Sequence, residues 1–223
     1  MPAGDNVILL HGLGRTRLSF GVAQLRLSRE GYRVVNLGYP SRREPIEALA
    51  DRVQERLEAG CDGQRTVHFV THSLGGIIAR YLIRRRRPER LGRVVMLSPP
   101  NQGNEIAELL RDNPLFKLAA GPAGQQLGLG RSSVPVQLPP PDFELGVIAG
   151  NRSLNPLFSA IIRGDNDGTV SVSRTRLHGM QDFLVVPHSH TFIMNSTAVL
   201  DQVVHFLEHG RFRRPADSER VQG

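Results

Sequence analysis

The chain has 223 residues, of which 39% are hydrophobic and 5% aromatic, and its formal net charge is +7. This length is typical of a single domain, and the hydrophobic share is too large for a highly charged disordered chain. The one cysteine, Cys61, excludes an intrachain disulfide framework. We therefore predict a single domain over residues 1–223.

The positive charge comes mainly from arginines whose surroundings do not indicate nucleic-acid binding. The densest run is Arg84–Arg87, and a second group, Arg211, Arg213 and Arg214, lies near the C-terminus. Proteins that bind single strands interleave basic residues with stacking aromatics, whereas this chain has no tryptophan. We predict that these arginines lie in solvent, and we expect no nucleic-acid partner.

No stretch of the sequence is long and apolar enough to be a signal peptide or a membrane-spanning helix. The first apolar run is Val7–Leu10, whereas a signal peptide needs about 7–15 apolar residues and a spanning helix about 20. We therefore expect no transmembrane segment and a cytoplasmic location.

Six short runs rich in valine, isoleucine and leucine recur along the chain. Continuous apolar runs are typical of strands that are buried on both faces of a parallel sheet. Stretches with helical periodicity separate several of them, which favours an α/β fold with helices on both faces of the sheet. The predicted strands are Val7–Leu10, Val34–Leu37, Val67–Val70, Val94–Leu97, Leu145–Ala149 and Phe183–Val186.

Four segments predict amphipathic helices. Ser41 and Glu44 have the spacing of a capping box ahead of the second one, and Pro45 suits its first turn. The predicted helices cover residues 16–29, 45–57, 74–86 and 196–208. In the first, one face would carry Leu18, Val22, Leu25 and Leu27.

Residues 101–143 interrupt this alternation. They are rich in glycine, contain the run Pro139–Pro141 and hold only two short apolar patches. A long irregular insertion in a compact domain is usually a lid or a binding loop. We predict a lid-like insertion over residues 101–143 and a flexible tail over residues 211–223.

Residues 71–76, Thr-His-Ser-Leu-Gly-Gly, join the third predicted strand to a predicted helix. A strand, a tight turn centred on serine and a helix form the context of the Gly-x-Ser-x-Gly nucleophile elbow. Gly75 keeps the second glycine of that motif, and Thr71 replaces the first. The start of the helix would place its dipole and the N–H of Leu74 beside the serine hydroxyl. Ser73 is therefore the candidate nucleophile.

A serine nucleophile needs a base and an acid that orients the base, and in such folds the chain order is serine, acid, histidine. Asp165 and Asp167 lie in a loop after the fifth predicted strand, and His188 and His190 follow the sixth. Both loops begin at the carboxyl ends of strands, where open α/β sheets bind ligands. Order and placement alone allow either aspartate and either histidine.

Four motifs in this order resemble the α/β-hydrolase superfamily, and more narrowly its small bacterial lipases and carboxylesterases. They are His-Gly-Leu-Gly at residues 11–14, the serine motif, Asp-Gly-Thr-Val at residues 167–170, and the late histidine. The resemblance implies an α/β-hydrolase fold with about six mostly parallel strands. It favours Asp167, which begins the Asp-Gly-Thr-Val motif, and it favours His190, which an apolar segment follows.

The resemblance also implies a role for each residue. Ser73 would be the nucleophile, His190 the general base and then the general acid, and Asp167 the residue that holds the imidazole. The backbone N–H groups of Leu13 and Leu74 would form the oxyanion hole. The predicted substrate-binding residues are Gly12, His72, Leu109 and Phe116.

We expect no cofactor and no metal. Cys61 stands alone, so no Cys/His cluster has the spacing of a zinc site, and no Gly-x-Gly-x-x-Gly motif opens a helix. The predicted activity is hydrolysis of carboxylic esters, with a small-molecule ester or a lipid as substrate and an acyl-enzyme as intermediate. The alternatives are an acyltransferase or a thioesterase that uses the same residues, and a catalytically silent binding domain. The sequence leaves the oligomeric state open.

Overall fold

The computed structural model describes residues 4–61 and 63–214, and one six-stranded sheet lies at the centre of these residues. Its order is β2-β1-β3-β4-β5-β6, and every neighbouring pair is parallel. The predicted sheet is therefore confirmed. The strands are Asn6–Leu10 (β1), Arg33–Leu37 (β2), Val67–His72 (β3), Leu91–Leu97 (β4), Leu145–Gly150 (β5) and Asp182–Val186 (β6).

Helices cover both faces of the sheet, as predicted. Side chains alternate along β1, so that they point to opposite faces of the sheet. Val7 and Leu9 pack in one apolar cluster with the helices Gly21–Arg29 (α1) and Thr197–His209 (α9). Ile8 and Leu10 pack in a second apolar cluster with the helices Ile46–Gly60 (α2) and Leu74–Arg85 (α3). No helix in the described ranges is long and apolar enough to cross a membrane. The remaining helices are Glu105–Leu109 (α4), Pro114–Gln125 (α5), Val134–Gln137 (α6), Pro156–Ile161 (α7) and Val172–Thr175 (α8).

The first predicted helix is split, and a different face of it is buried. A 3₁₀ turn over Arg17–Phe20 leads into α1. The buried side chains are Phe20, Ala23 and Leu27, which lie three and four residues apart and so share one helical face. Leu18, Val22 and Leu25 are exposed. Of the four leucine and valine side chains that the periodicity placed together, only Leu27 reaches the core.

The predicted capping box at Ser41 and Glu44 is wrong. The helix begins later, at Ile46, with Pro45 at the N-cap position. Ser41 is buried and its Oγ accepts a hydrogen bond from the Gly14 N–H at 3.0 Å. The Ile46 N–H instead donates to the side chain of Gln126 at 2.7 Å. A partner 80 residues away in the chain thus replaces the local cap.

The insertion over residues 101–143 is more regular than the sequence indicated, because it contains α4, α5 and α6. Asparagine side chains cap the first two of these helices: Asn104 accepts from the Ala107 N–H, and Asn113 accepts from the Leu115 and Phe116 N–H groups. A kink at Gly121, which has φ +64°, interrupts α5.

Arg80, which is buried in α3, binds both ends of the insertion. Its guanidinium donates to the carbonyl oxygens of Asn101 and Leu138, each at 3.0 Å, and to that of Pro139 at 3.3 Å. Burial lowers the pKa of Arg80 to about 10. The group therefore stays charged at neutral pH, and its charge strengthens these hydrogen bonds.

Part of the predicted flexible tail is packed against the sheet. Phe212 is buried against Phe206 of α9, with 5.0 Å between the ring centroids. Its N–H donates to the Asp182 carboxylate at 2.7 Å. The remainder of that prediction, residues 215–223, lies outside the described residues.

Candidate active site

Ser73 lies on a strained turn between β3 and α3. Its backbone has φ +52° and ψ −122°, a region that residues with a side chain rarely adopt and that costs about 1–3 kcal/mol. The surrounding sheet holds the turn, because the Ser73 N–H donates to the Leu97 carbonyl oxygen at 3.0 Å and the Ser73 carbonyl accepts from the Gly76 N–H at 2.9 Å. This geometry turns the serine out of the strand at the carboxyl edge of the sheet.

The structure explains why threonine is tolerated at position 71, where the elbow motif has glycine. The Thr71 side chain is fully buried. A methyl group on Gly76 would lie 3.3 Å from the Thr71 hydroxyl oxygen and 3.1 Å from Pro99. Because Gly76 has no side chain, there is room beside it for the side chain of Thr71.

Gly75 allows the close approach of α3 to β1, and we expect substitution there to destabilise the fold. A Cβ on Gly75 would lie 2.2 Å from the Leu10 carbonyl oxygen, which is a backbone atom that cannot move aside. Gly75→Ala should lower the free energy of unfolding by about 3 kcal/mol or more. Urea denaturation followed by circular dichroism measures this change.

Gly21 provides the matched control for that experiment. It begins α1 with φ −57°, and a Cβ at this position would meet no atom of another element within 4 Å. Gly21→Ala should therefore raise the free energy of unfolding by about 0.5 kcal/mol. Equal effects of the two substitutions would contradict the assigned role of Gly75.

His190 and Asp167 form a direct hydrogen-bonded pair. His190 Nδ1 lies 2.8 Å from Asp167 Oδ2, and the His190 N–H also donates to the Asp167 carbonyl oxygen at 3.0 Å. Asp165 is exposed, and His188 lies outside this pair. Of the two aspartates and two histidines that the sequence allowed, the structure brings together Asp167 and His190.

The Asp167 carboxylate is buried but remains ionised at neutral pH. Burial raises the pKa of this carboxyl, but the charge and the hydrogen bond of His190 outweigh it, so that the pKa lies below its ordinary value. Further donors support the charged form, namely the Ser98 side chain and the N–H groups of Thr169 and Val170, the last two at 3.0 and 2.8 Å.

His72 contacts both the ring and the backbone of His190. The centroids of the two rings lie 4.6 Å apart, and His72 Nε2 lies 3.0 Å from the His190 carbonyl oxygen. Since a carbonyl only accepts, Nε2 carries the proton. Burial, and then the positive charges of His190 and Arg15, hold the pKa of His72 well below its ordinary value. His72 is therefore neutral, and it positions the His190 backbone.

The loop after β1 lies directly against the serine turn. A Cβ on Gly12 would lie 2.9 Å from His72 Nδ1 and 3.2 Å from Ser73 Cβ. Within the described residues, the N–H groups of Leu13 and Leu74 have no backbone or side-chain acceptor. Two such donors flanking a serine are what an oxyanion hole requires.

His11 is held away from the serine. Its Nδ1 lies 2.9 Å from the Gly12 carbonyl oxygen, its Nε2 accepts from the Tyr39 N–H at 3.3 Å, and its ring stacks on Tyr39 with 4.0 Å between centroids. Burial lowers the pKa of His11. Both ring nitrogens are thus hydrogen-bonded to the backbone, one to Gly12 and one to Tyr39 after β2, which indicates a structural role for His11.

Ser73 and His190 line the same cavity, which we call the serine cavity and which has a volume of about 290 Å³. Arg15, His72 and Thr191 supply polar groups to its wall. A larger hollow of about 430 Å³ beside Arg84 contains no serine or histidine. The apolar side chains in the wall of the serine cavity include Leu13, Ile106, Phe116, Leu127 and Phe158.

Comparison with known protein families identifies the family of this chain. A profile of the alpha/beta hydrolase family matches residues 7–215. The chain belongs to this family. The predicted fold class is thereby confirmed. A search of curated protein sequences found no match to this alpha/beta hydrolase.

Solved structures of lipases and esterases share the fold of this alpha/beta hydrolase. Lipase BlEst2 from Bacillus licheniformis in its mature form is 19% identical, with a TM-score of 0.73 over 93% of each chain. The metagenomic carboxyl esterase MGS0156 is 20% identical, with a TM-score of 0.71 over 86% of this chain and 66% of that one. Phospholipase PlaB from Legionella pneumophila is 17% identical, with a TM-score of 0.70 over 90% and 56%. At these identities the likeness establishes the fold alone.

Two of the four predicted substrate-binding residues of this alpha/beta hydrolase line the serine cavity, and a third lies beside one of them. His72 and Phe116 line it, and Gly12 lies against His72. Leu109 does not line it and is exposed, because α4 turns Ile106 and Ala107 toward the cavity instead. In the described ranges, no group of three or more histidine, cysteine or acidic side chains is placed to hold a metal ion.

Sequence reasoning missed Ser98, which supports the acid of this alpha/beta hydrolase. Ser98 follows β4 with φ +46°. Its Oγ accepts from the Gly150 N–H at 3.2 Å, and its side chain helps to lower the pKa of Asp167. The available signal was position, since Ser98 lies at the carboxyl end of a central strand, where sites occur in such sheets.

Proposed function

We propose that this protein hydrolyses carboxylic esters through an acyl-enzyme formed on Ser73. The observation that carries the proposal is the 2.8 Å contact between His190 Nδ1 and the ionised Asp167, in a cavity that also contains the strained serine. A nucleophile, a base and an orienting acid from three separate loops are the requirements of serine-based acyl transfer.

The contacts define the proposed first step. The Asp167 carboxylate accepts the Nδ1–H of His190, which leaves Nε2 of the neutral ring free to take the Ser73 proton. The serine oxygen attacks the ester carbonyl, and the oxygen of that carbonyl becomes negatively charged. The N–H groups of Leu13 and Leu74 would stabilise this charge, and each such donor typically contributes about 10²–10³ in rate.

The second half of the proposed reaction reverses the proton transfer. Protonated His190 donates its proton to the leaving alcohol, and the acyl group remains on Ser73. Water then enters, gives a proton to His190 Nε2 and attacks the acyl carbon. The carboxylic acid departs as Ser73 regains its proton. The apolar wall formed by residues such as Phe116, Leu127 and Phe158 suits the acyl chain.

Substitution of the acid tests this function. Asp167→Asn keeps the size of the side chain but removes the acceptor that fixes the His190 tautomer, so kcat for p-nitrophenyl butyrate should fall by about 10⁴. Asp165→Asn is the matched control, because Asp165 is exposed and only its backbone carbonyl is bonded, to the Val172 N–H at 2.8 Å. Its kcat should match that of the wild type. No hydrolysis by the wild-type protein, or equal rates for both variants, would contradict the proposal.

A further inference from the structure

Arg15 is the one charged side chain in the wall of the serine cavity, as far as the described residues show. It follows the loop against the serine turn, and its N–H donates to the Gly12 carbonyl oxygen at 3.2 Å. The guanidinium lies close enough to His72 for its charge to contribute to the lowered pKa of that ring. Arg15 therefore faces the candidate reacting groups and not the bulk solvent alone.

The charge of Arg15 is not neutralised within the cavity. Its guanidinium has no hydrogen-bond or ion-pair partner in the part of the chain that the structure describes, in contrast to Arg26, Arg52 and Arg93, which pair with acidic side chains. No aspartate or glutamate among the described residues lines the cavity. The carboxylate of the site, Asp167, is buried and already bonded to His190.

A half-buried arginine in the wall of a mostly apolar cavity is a strong recognition element for an anion. Arginine binds carboxylate and phosphate oxygens with two parallel hydrogen bonds. The attraction is larger in a cavity of low dielectric than in water. Apolar side chains and one unpaired cation together favour a ligand that has an apolar part and a negative group.

On the basis of the proposed ester hydrolysis, we propose that Arg15 selects esters that carry a second, negatively charged group, a carboxylate or a phosphate, near the scissile bond. The role of Arg15 is specificity, because it would hold the substrate through a group that does not react. The ester carbonyl would still be attacked by Ser73 and stabilised by the backbone N–H groups of Leu13 and Leu74.

Three esters with one acyl group test this inference: p-butyryloxybenzoate, p-butyryloxyphenyl phosphate and the neutral p-butyryloxybenzamide. The quantity to compare is kcat/KM for each anion divided by kcat/KM for the amide, since differences in intrinsic reactivity cancel between protein variants. Arg15→Gln should lower this ratio by about tenfold or more for at least one anion. Arg15→Lys, which keeps the charge, should restore part of it.

Arg17→Gln is the matched control. Arg17 lies two residues further along the chain, at the start of the 3₁₀ turn, and does not line the cavity, so the ratio should stay at its wild-type value. A decrease confined to one of the two anions would identify the group that Arg15 recognises. If Arg15→Gln gave the wild-type ratio with the carboxylate ester and also with the phosphate ester, the inference would be overturned.

Binding separates this inference from the proposed function. Calorimetric titration of Ser73→Ala with p-butyryloxybenzoate and with p-butyryloxyphenyl phosphate should give, for at least one of the two esters, a Kd about tenfold lower than that of the double variant Ser73→Ala/Arg15→Gln. If the wild type cleaves none of the three esters, the proposed hydrolysis fails, and the titration still tests Arg15. Equal affinities of the two variants for both esters would contradict the role of Arg15 whatever the activity.

Discussion

Ser73→Ala is expected to lower kcat for p-nitrophenyl butyrate by about 10⁵–10⁶, which is the effect of removing the nucleophile from a serine triad. The residue proposed to form the covalent intermediate is lost, while the cavity and the N–H groups of Leu13 and Leu74 remain. The same variant should lose its reaction with a fluorophosphonate probe. Labelling measured by mass spectrometry and the rate of p-nitrophenol release together check this result.

The control for the serine is Ser28→Ala. Ser28 is exposed on α1 and does not line the serine cavity, so labelling and kcat should both match the wild type. A probe adduct that persists on Ser73→Ala would assign the nucleophile to another residue. Failure of the wild-type protein to react with the probe would contradict the proposed mechanism as a whole.

His190→Ala is expected to have an effect of similar size, a decrease in kcat of about 10⁵ or more. Without the imidazole, the other ring beside Ser73 is a poor substitute base, because burial opposes the charged form that His72 would adopt on taking a proton. The serine proton then has no side chain to receive it and return it to the leaving alcohol. Steady-state kinetics with p-nitrophenyl butyrate check this expectation.

His188→Ala is the matched control for His190. His188 belongs to the same loop, but its ring does not contact the Asp167 carboxylate that His190 binds. The variant should keep the wild-type kcat, and thermal unfolding should show that both alanine variants are folded. Full activity of His190→Ala, or loss of activity only in His188→Ala, would reverse the choice of base.

The sheet and the order of the candidate catalytic residues could be predicted because both depend on local sequence. Strands such as β1 and β3 are buried on both faces, so their composition alone distinguishes them. Ser73 was recognisable because the turn around it accepts few residue types, and the strand before it and the helix after it support the assignment. The choice between two candidates that are close in sequence, such as Asp165 and Asp167, needed either the resemblance to a known family or the three-dimensional structure.

The features that were predicted incorrectly depend on contacts between distant parts of the chain. The periodicity of residues 16–29 allowed two apolar faces, and only the position of the sheet decides that Phe20 and Ala23 are buried while Leu18 is exposed. The N-terminus of α2 is capped by Gln126, whose approach depends on the path of the insertion. Leu109 was expected at the substrate because it is apolar, but the rotation of α4 determines which of its side chains face inward.

The hydrogen bonds of Arg80 bear on how the sequence of residues 101–143 can change in evolution. One guanidinium contacts the carbonyl oxygens of Asn101 and of Leu138, so the chain leaves the core and returns to it at nearly the same point. The entropy of closing a loop grows only slowly with its length. Residues added between these two points therefore cost little entropy, whereas the buried Leu127 and the contact of Gln126 with α2 limit which residues can be lost. We expect substrate range to change through this segment while Ser73, His190 and Asp167 keep their positions.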